Sequence, residues 1–139
     1  VRSGSRSSEP DSRTDTLAHS VLGAAIEVHR ALGPGFLEEV YAKALIVELR
    51  ARGIAFERRK SIRVEYKGQL VGEGELDFLV GGCLVVELKA VRALAQIHTA
   101  QVIAYLKATG LTLGLLINFN VVRLKDGIRR IVLSPGDDL

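Results

Sequence analysis

Residues 75–89, ELDFLVGGCLVVELK, decide how this chain folds. Two apolar-rich runs flank Gly81-Gly82, the pattern of two strands joined by a glycine turn. Two registers compete. A two-residue turn at Gly81-Gly82 pairs Val80 with Cys83, Leu76 with Glu87 and Asp77 with Val86, and both faces then mix charge with aliphatic groups. A three-residue loop, Gly81-Gly82-Cys83, pairs Val80 with Leu84, Phe78 with Val86 and Leu76 with Leu88, and one face becomes wholly apolar. A one-residue slip turns every side chain over, so the buried face selects the register. The second arrangement is expected, with a glycine in the left-handed conformation in the loop.

That choice rests on the apolar face alone, yet it sets Asp77 opposite Glu87 and Glu75 opposite Lys89 on the other face. Val85 and Leu79 share the charged face, so the carboxylates are expected in a partly covered cleft. Unpaired charge is costly there unless a cation joins it. Two carboxylates beside a lysine suit a hard divalent cation next to a phosphate. A solvated face of alternating charges on an amphipathic hairpin produces the same letters, and Asp followed by Glu-x-Lys has little specificity by itself.

The length, 139 residues, suffices for one α/β or α+β domain and not for two. Hydrophobic residues at 47% and charged residues at 25% describe an ordinary soluble composition. With no Trp or Met, the core must rest on Leu, Val, Ile and Ala. A net charge of +3 permits a polyanionic partner without requiring one. Cys83 is the single cysteine, which excludes an internal disulfide and a metal-binding Cys pair and fits a reducing, cytoplasmic setting. No stretch has the length of a membrane span or the apolar run of a secretory signal.

Residues 1–15 carry little to bury and read as a disordered tail preceding a single domain over 16–139. From Thr16, the spacing of Val21, Ala25, Val28 and Leu32 predicts a helix that stops at Gly33-Pro34-Gly35. A second helix is expected over 36–52, with Leu37, Val40, Ala44 and Val47 as its core stripe and Gly53 closing it. Ile62, Val64 and Tyr66 alternate with charge, which predicts a half-exposed strand. Further strands are expected from Lys67-Gly68 to Val80 and over 84–90. A third helix is expected over 93–109, and the apolar run 112–119 reads as a central buried strand. Asp126-Gly127 predicts a hairpin joining 121–125 to 128–133. The expected order is ααβββαβββ, a central mixed sheet flanked by helices.

Two helical motifs add to the hairpin. In Gly35-x-x-Glu38-x-x-Tyr41, the Glu and Tyr lie one turn apart on one face. His98, Gln101 and Tyr105 form a polar stripe on the third helix. For His98 alone the stripe reads as neutral and solvent-facing. Arg58, Arg59, Lys60, Arg63 and Lys67 suit phosphate contacts and equally suit the protection of a charged edge strand.

HRALGPGFLEEVY (29–41), VVELKA (85–90) and HTAQVIAYLKATGLTLGLLINF (98–119) together resemble the bacterial GxxExxY proteins. That family is assigned to the PD-(D/E)XK nuclease superfamily, near its RecB-like and phage-exonuclease-like branches. The resemblance covers residues 17–134 and implies a restriction-endonuclease-like α/β core. It further implies that Asp77 matches the Asp of the superfamily motif and that Glu87 and Lys89 match its E-x-K. Glu38 matches the acidic residue of the N-terminal helix, and Gln101 with Tyr105 match the Q-x-x-x-Y element. The Asp here follows Leu76 rather than Pro.

The implied activity is hydrolysis of nucleic acid, DNA above RNA, assisted by Mg²⁺ or Mn²⁺. Asp77 and Glu87 would hold the ion with the Leu88 carbonyl, and Glu38 would reach it directly or through a water. Lys89 would orient the attacking water or stabilise charge on the phosphate. Neighbouring carboxylates favour its charged form, which suits it poorly to act as a base. Gln101, Tyr105, Tyr41 and His98 would contact the substrate. The rival is a catalytically silent module that keeps the fold to bind nucleic acid or a protein. A domain this small gains grip on a long substrate from a homodimer or a protein partner, and no residue marks either.

Overall fold

A computed structural model describes residues 10–133. Helix α1 spans Ser12–Leu32 and α2 Glu38–Ala51, followed by strands β1 (Phe56–Tyr66), β2 (Gln69–Val80) and β3 (Leu84–Lys89). Helix α3 (Gln96–Thr109) leads into β4 (Leu113–Asn118), a single 3₁₀ turn (Leu124–Gly127) and β5 (Ile128–Val132). The five strands form one mixed sheet in the order β1-β2-β3-β4-β5. Neighbours run antiparallel except β3 and β4, which are parallel because α3 carries the chain across between them. The α/β class and the helix-flanked mixed sheet agree with expectation. Among the described residues, no helix is long and apolar enough to cross a membrane.

The sheet separates two cores. Val21, Ala25 and Val28 of α1 and Leu45 and Leu49 of α2 pack on Phe78, Val86, Leu88, Leu115 and Ile117. On the other face, Val102 and Leu106 of α3 pack on Ile62, Leu79, Val85 and Leu116. Each such Val, Leu, Ile or Phe side chain taken fully out of water contributes about 1.5–3 kcal/mol. All six residues of β4 are buried, as its unbroken apolar run predicts. Gly114 lets α3 approach, because a Cβ there would strike the Val102 side chain.

The face of α2 and two boundaries differ from expectation: Leu37, Val40 and Val47 are exposed, and Tyr41, Ala42, Leu45 and Leu49 are the buried residues of α2. Of the anticipated tail, residues 1–9 lie outside the described residues, but Ser12 onward is helix. Polar anchors rather than apolar burial hold that first turn. Asp11 caps it, its carboxylate accepting the Thr14 amide at 2.8 Å. Arg13 donates to the Gly81 carbonyl at 2.8 Å and to Cys83 Sγ at 3.0 Å, and Arg130 pairs with Asp15 at 2.7 Å.

The second boundary concerns the expected last hairpin. Residues 121–125 form no strand, the order is ααβββαββ, and β5 pairs with β4. Gly127 is buried in the 3₁₀ turn, where a Cβ would overlap the Asn118 carbonyl. It is a glycine of close approach, and its neighbour Asp126 does not make it a hairpin turn.

Candidate active site at the fork between two strands

The loop Gly81-Gly82-Cys83 has the expected length, with Gly81 and Gly82 at φ of 59° and 72°. Val80 pairs with Leu84 and Phe78 with Val86, as the apolar face demands. Beyond Phe78 the β2–β3 ladder ends and the strands part. On the other side of β2, the pairs Arg58–Phe78 and Lys60–Leu76 flank a missing Arg59–Asp77 pair, and Arg59 takes a φ of 53°. The alternation of β2 slips here by one residue. Phe78 and Val80 face α1 and α2, whereas Leu76 joins Leu79 and Ile62 on the α3 side. The expected pairs Leu76–Leu88 and Glu75–Lys89 therefore do not form.

Side chains fill the fork. The Asp77 amide donates to Glu87 Oε2 at 2.8 Å, and the Leu88 amide donates to Asp77 Oδ2 at 2.9 Å. Each carboxylate stands in for a ladder carbonyl that the parted strands no longer supply. Asp77 and Glu87 thus meet as expected, across a fork rather than as ladder partners. Their reciprocal bonds fix both side chains against the opposite backbone.

Burial and neighbouring like charge set the electrostatics. Glu87 is only 4% exposed; burial first and then the Asp77 charge push its pKa up to about 8, while the Asp77 amide and Lys89 pull the other way. Asp77 is raised by burial against the Leu88 amide, Lys89 and Arg58. Glu38, the first residue of α2, is raised by burial and then by Asp77. This overrides the helix N-terminus, which by itself favours a carboxylate. The Tyr105 phenol is raised by burial and then by Glu87, Asp77 and Glu75. Glu38, Asp77, Glu87 and Lys89 therefore share one field, with Tyr105 at its rim.

Four further side chains hold this group in place or flank it. Gly35, at φ of 113°, turns the chain into α2 and delivers Glu38. Tyr41 is fully buried; its hydroxyl donates to the Gly33 carbonyl at 2.5 Å and accepts from the Phe36 amide at 3.1 Å. Its ring stacks on Phe119 at 4.7 Å, and the Phe119 amide donates to the Lys89 carbonyl at 2.9 Å. Asn118, 1% exposed, accepts the Val91 amide and donates to the Val91 carbonyl, which secures the chain just after Lys89. A lone Asn closing an all-apolar strand was the signal for it in the sequence. Arg58 bonds Glu39 at 2.9 Å, lies 5.2 Å over the Phe78 ring and leaves its buried Nε without a partner.

The structure therefore sorts the anticipated residues. Asp77 and Glu87 come together, and Glu38, Lys89 and half-buried Tyr105 lie within reach of their field. Gln101 is exposed one turn earlier on α3. Tyr41 sits in the core and fastens a loop, so it is not presented to a substrate. His98 Nδ1 accepts the Ala95 amide at 2.9 Å and caps α3.

Among the described residues, no three His, Cys, Asp or Glu side chains converge as a metal cluster. The two carboxylates at the fork are an all-oxygen donor set. Mg²⁺ asks no more than one or two carboxylates and keeps several waters, so the residues fit a hard ion of this kind. Half-buried Asp77 and buried Glu87, both raised by burial and Glu87 further by the Asp77 charge, also gain from a shared cation.

A family model of the PD-(D/E)XK nuclease superfamily matches residues 15–131. No curated protein matches the sequence. The crystal structure of SSO0001 is similar in fold, with a TM-score of 0.57 at 16% identity, covering 91% of this chain and 62% of that one. This chain thus spans less than two thirds of that protein's length.

Proposed function

The chain belongs to the PD-(D/E)XK nuclease superfamily, and from that premise we propose that it is an Mg²⁺- or Mn²⁺-dependent nuclease acting on nucleic acid, with DNA preferred. The observation that carries this reading is the fork. Asp77 and Glu87 are fixed by amides of facing strands, Lys89 follows two residues on, and Glu38 enters the same field from α2. The motif Gly35-x-x-Glu38-x-x-Tyr41 further supports assignment to the GxxExxY proteins within the superfamily.

Asp77 and Glu87 would hold the ion. Leu88 would add its carbonyl: amide and carbonyl of one strand residue leave on the same side, and the Leu88 amide faces Asp77. Glu38 would complete the set directly or through a water. The ion, when bound, polarises the scissile phosphate and lowers the pKa of a water ligand. Lys89 directs its charge to the attacking water or to the phosphoryl oxygens, where charge accumulates in the transition state. Gln101 and Tyr105 position the strand.

The test is incubation with linear and circular DNA, single- and double-stranded DNA and RNA, in Mn²⁺ or EDTA. Cleavage that disappears in EDTA and in Lys89→Ala is expected. Nucleic-acid binding without cleavage of any substrate, unchanged in Lys89→Ala, would identify a silent binding module.

A further inference from the structure

Beside the carboxylates lies a groove that the proposed chemistry does not use. It has a volume of about 830 Å³, with Ser61–Glu65 of β1 as one wall and residues 104–109 of α3 as the other. Tyr105 belongs to both places, since it lines the groove and shares the field of Glu87 and Asp77. Tyr105 therefore links the groove to the candidate active site.

Its construction is specific. Ile62 and Val64 line it, and their partners on β2 are Gly74 and Gly72. A Cβ at Gly74 would press within 3.3 Å of both Ile62 and the Tyr105 ring, so glycine there is what lets Tyr105 lie down over the strand. A Cβ at Gly72 would meet open space. The lining combines apolar surface (Ile62, Val64, Ala104, Ala108), one aromatic ring, and the cations Arg63 and Lys107, with Glu65 as the acid.

We infer that this groove takes a single unpaired strand of nucleic acid running from the fork along β1, its bases against the apolar wall and Tyr105 and its phosphates toward Arg63 and Lys107. Apolar and aromatic platforms beside cations are what sequence-tolerant single-strand binding requires, because every base has a face to stack and every nucleotide a charge. The volume lies in the range of small-molecule pockets, a space on the scale of a few nucleotides. The inference deepens the nuclease reading and rests on it for the direction in which the strand is fed.

The test is fluorescence anisotropy in EDTA, with a labelled single strand of about 12 nucleotides and a blunt duplex of equal length. The full chain is compared with Arg63→Gln and with the double variant Ala104→Glu, Ala108→Glu, whose positions are exposed. The single strand should bind more tightly than the duplex. The double variant should weaken single-strand binding by roughly tenfold, about the worth of one stacked base. Arg63→Gln should flatten the dependence of log K on log salt by about 0.7, one lost phosphate contact. Equal affinity for duplex, or single-strand binding that neither variant changes, overturns the inference. Hydrolysis of bis(p-nitrophenyl) phosphate in Mn²⁺ reports on the carboxylates separately. Strand binding without ester hydrolysis sinks the nuclease reading and keeps the groove, whereas ester hydrolysis without strand preference does the reverse.

Discussion

Asp77 and Glu87 are locked by an exchange in which the Asp77 amide bonds the Glu87 carboxylate while the Asp77 carboxylate bonds the amide next along from Glu87. Position and charge can therefore be separated by mutation. Glu87→Gln keeps an acceptor for the Asp77 amide and removes a buried charge. It should make the metal-free protein more resistant to urea at pH 8 while lowering cleavage by roughly 10²–10³. Glu87→Ala should cost about 1–3 kcal/mol, because the Asp77 amide loses its partner. Equal urea midpoints for the two variants would contradict the exchange.

Stability of the metal-free protein should fall with rising pH. Glu87 is raised from 4.5 to about 8 in the folded chain. Between those values the native state holds a proton that the unfolded state has released. Its contribution is complete below pH 4.5 and is lost as pH rises through about 8. Asp77 and Glu38 shift in the same sense. Denaturant midpoints in EDTA at acid and alkaline pH should show this slope, and Glu87→Gln should flatten it. Mn²⁺ should stabilise most at the alkaline end, where the carboxylates are free of protons, by about 2.7 kcal/mol at a hundred times its Kd.

Tyr41→Phe should act through Glu38 rather than through substrate contact. Its hydroxyl joins the Gly33 carbonyl and the Phe36 amide just ahead of α2. Loss of that bridge should cost about 1–3 kcal/mol and lower kcat with KM little changed. A raised KM at unaltered stability would show that the ring meets the substrate after all.

Arg58→Gln should leave stability within about 1 kcal/mol, since an ion pair and a ring contact of this kind are each worth little. Its charge lowers the pKa of both Asp77 and Glu38, so its removal lets both rise further. The acid limb of kcat/KM against pH should then move to higher pH. A limb that stays in place would separate Arg58 from the site.

Gly127→Ala should destabilise by about 1–3 kcal/mol or more, because the new methyl group meets backbone, the Asn118 carbonyl. Gly114→Ala should cost less, since the obstacle there is the Val102 side chain. Thermal denaturation of the two variants checks the order.

The hairpin register was legible because one apolar face admits a single pairing, and with it came the meeting of Asp77 and Glu87. The slip at Asp77 was not legible. It arises from strands parting to satisfy buried carboxylates, and no alternation of residue types encodes that. Apolar periodicity does not reveal the first turn of α1, because a local cap at Asp11 and the distant partners of Arg13 and Asp15 hold it. Asp126-Gly127 reads as a hairpin turn because glycine serves close approach and tight turns alike. The motifs point Tyr41 and His98 toward a substrate, but their hydrogen-bond partners are backbone groups of the chain itself.

Phe119 ties the two sides of the centre to one piece of hardware. Its amide grips the carbonyl of the lysine, and its ring bears on the tyrosine that anchors the acid's helix. The backbone that carries the amine and the helix that carries the acid are consequently coupled, and a nudge to this one aromatic plane reaches both. Anyone retuning the centre for another cation would have to redesign around that hinge pin as well as around the ligands.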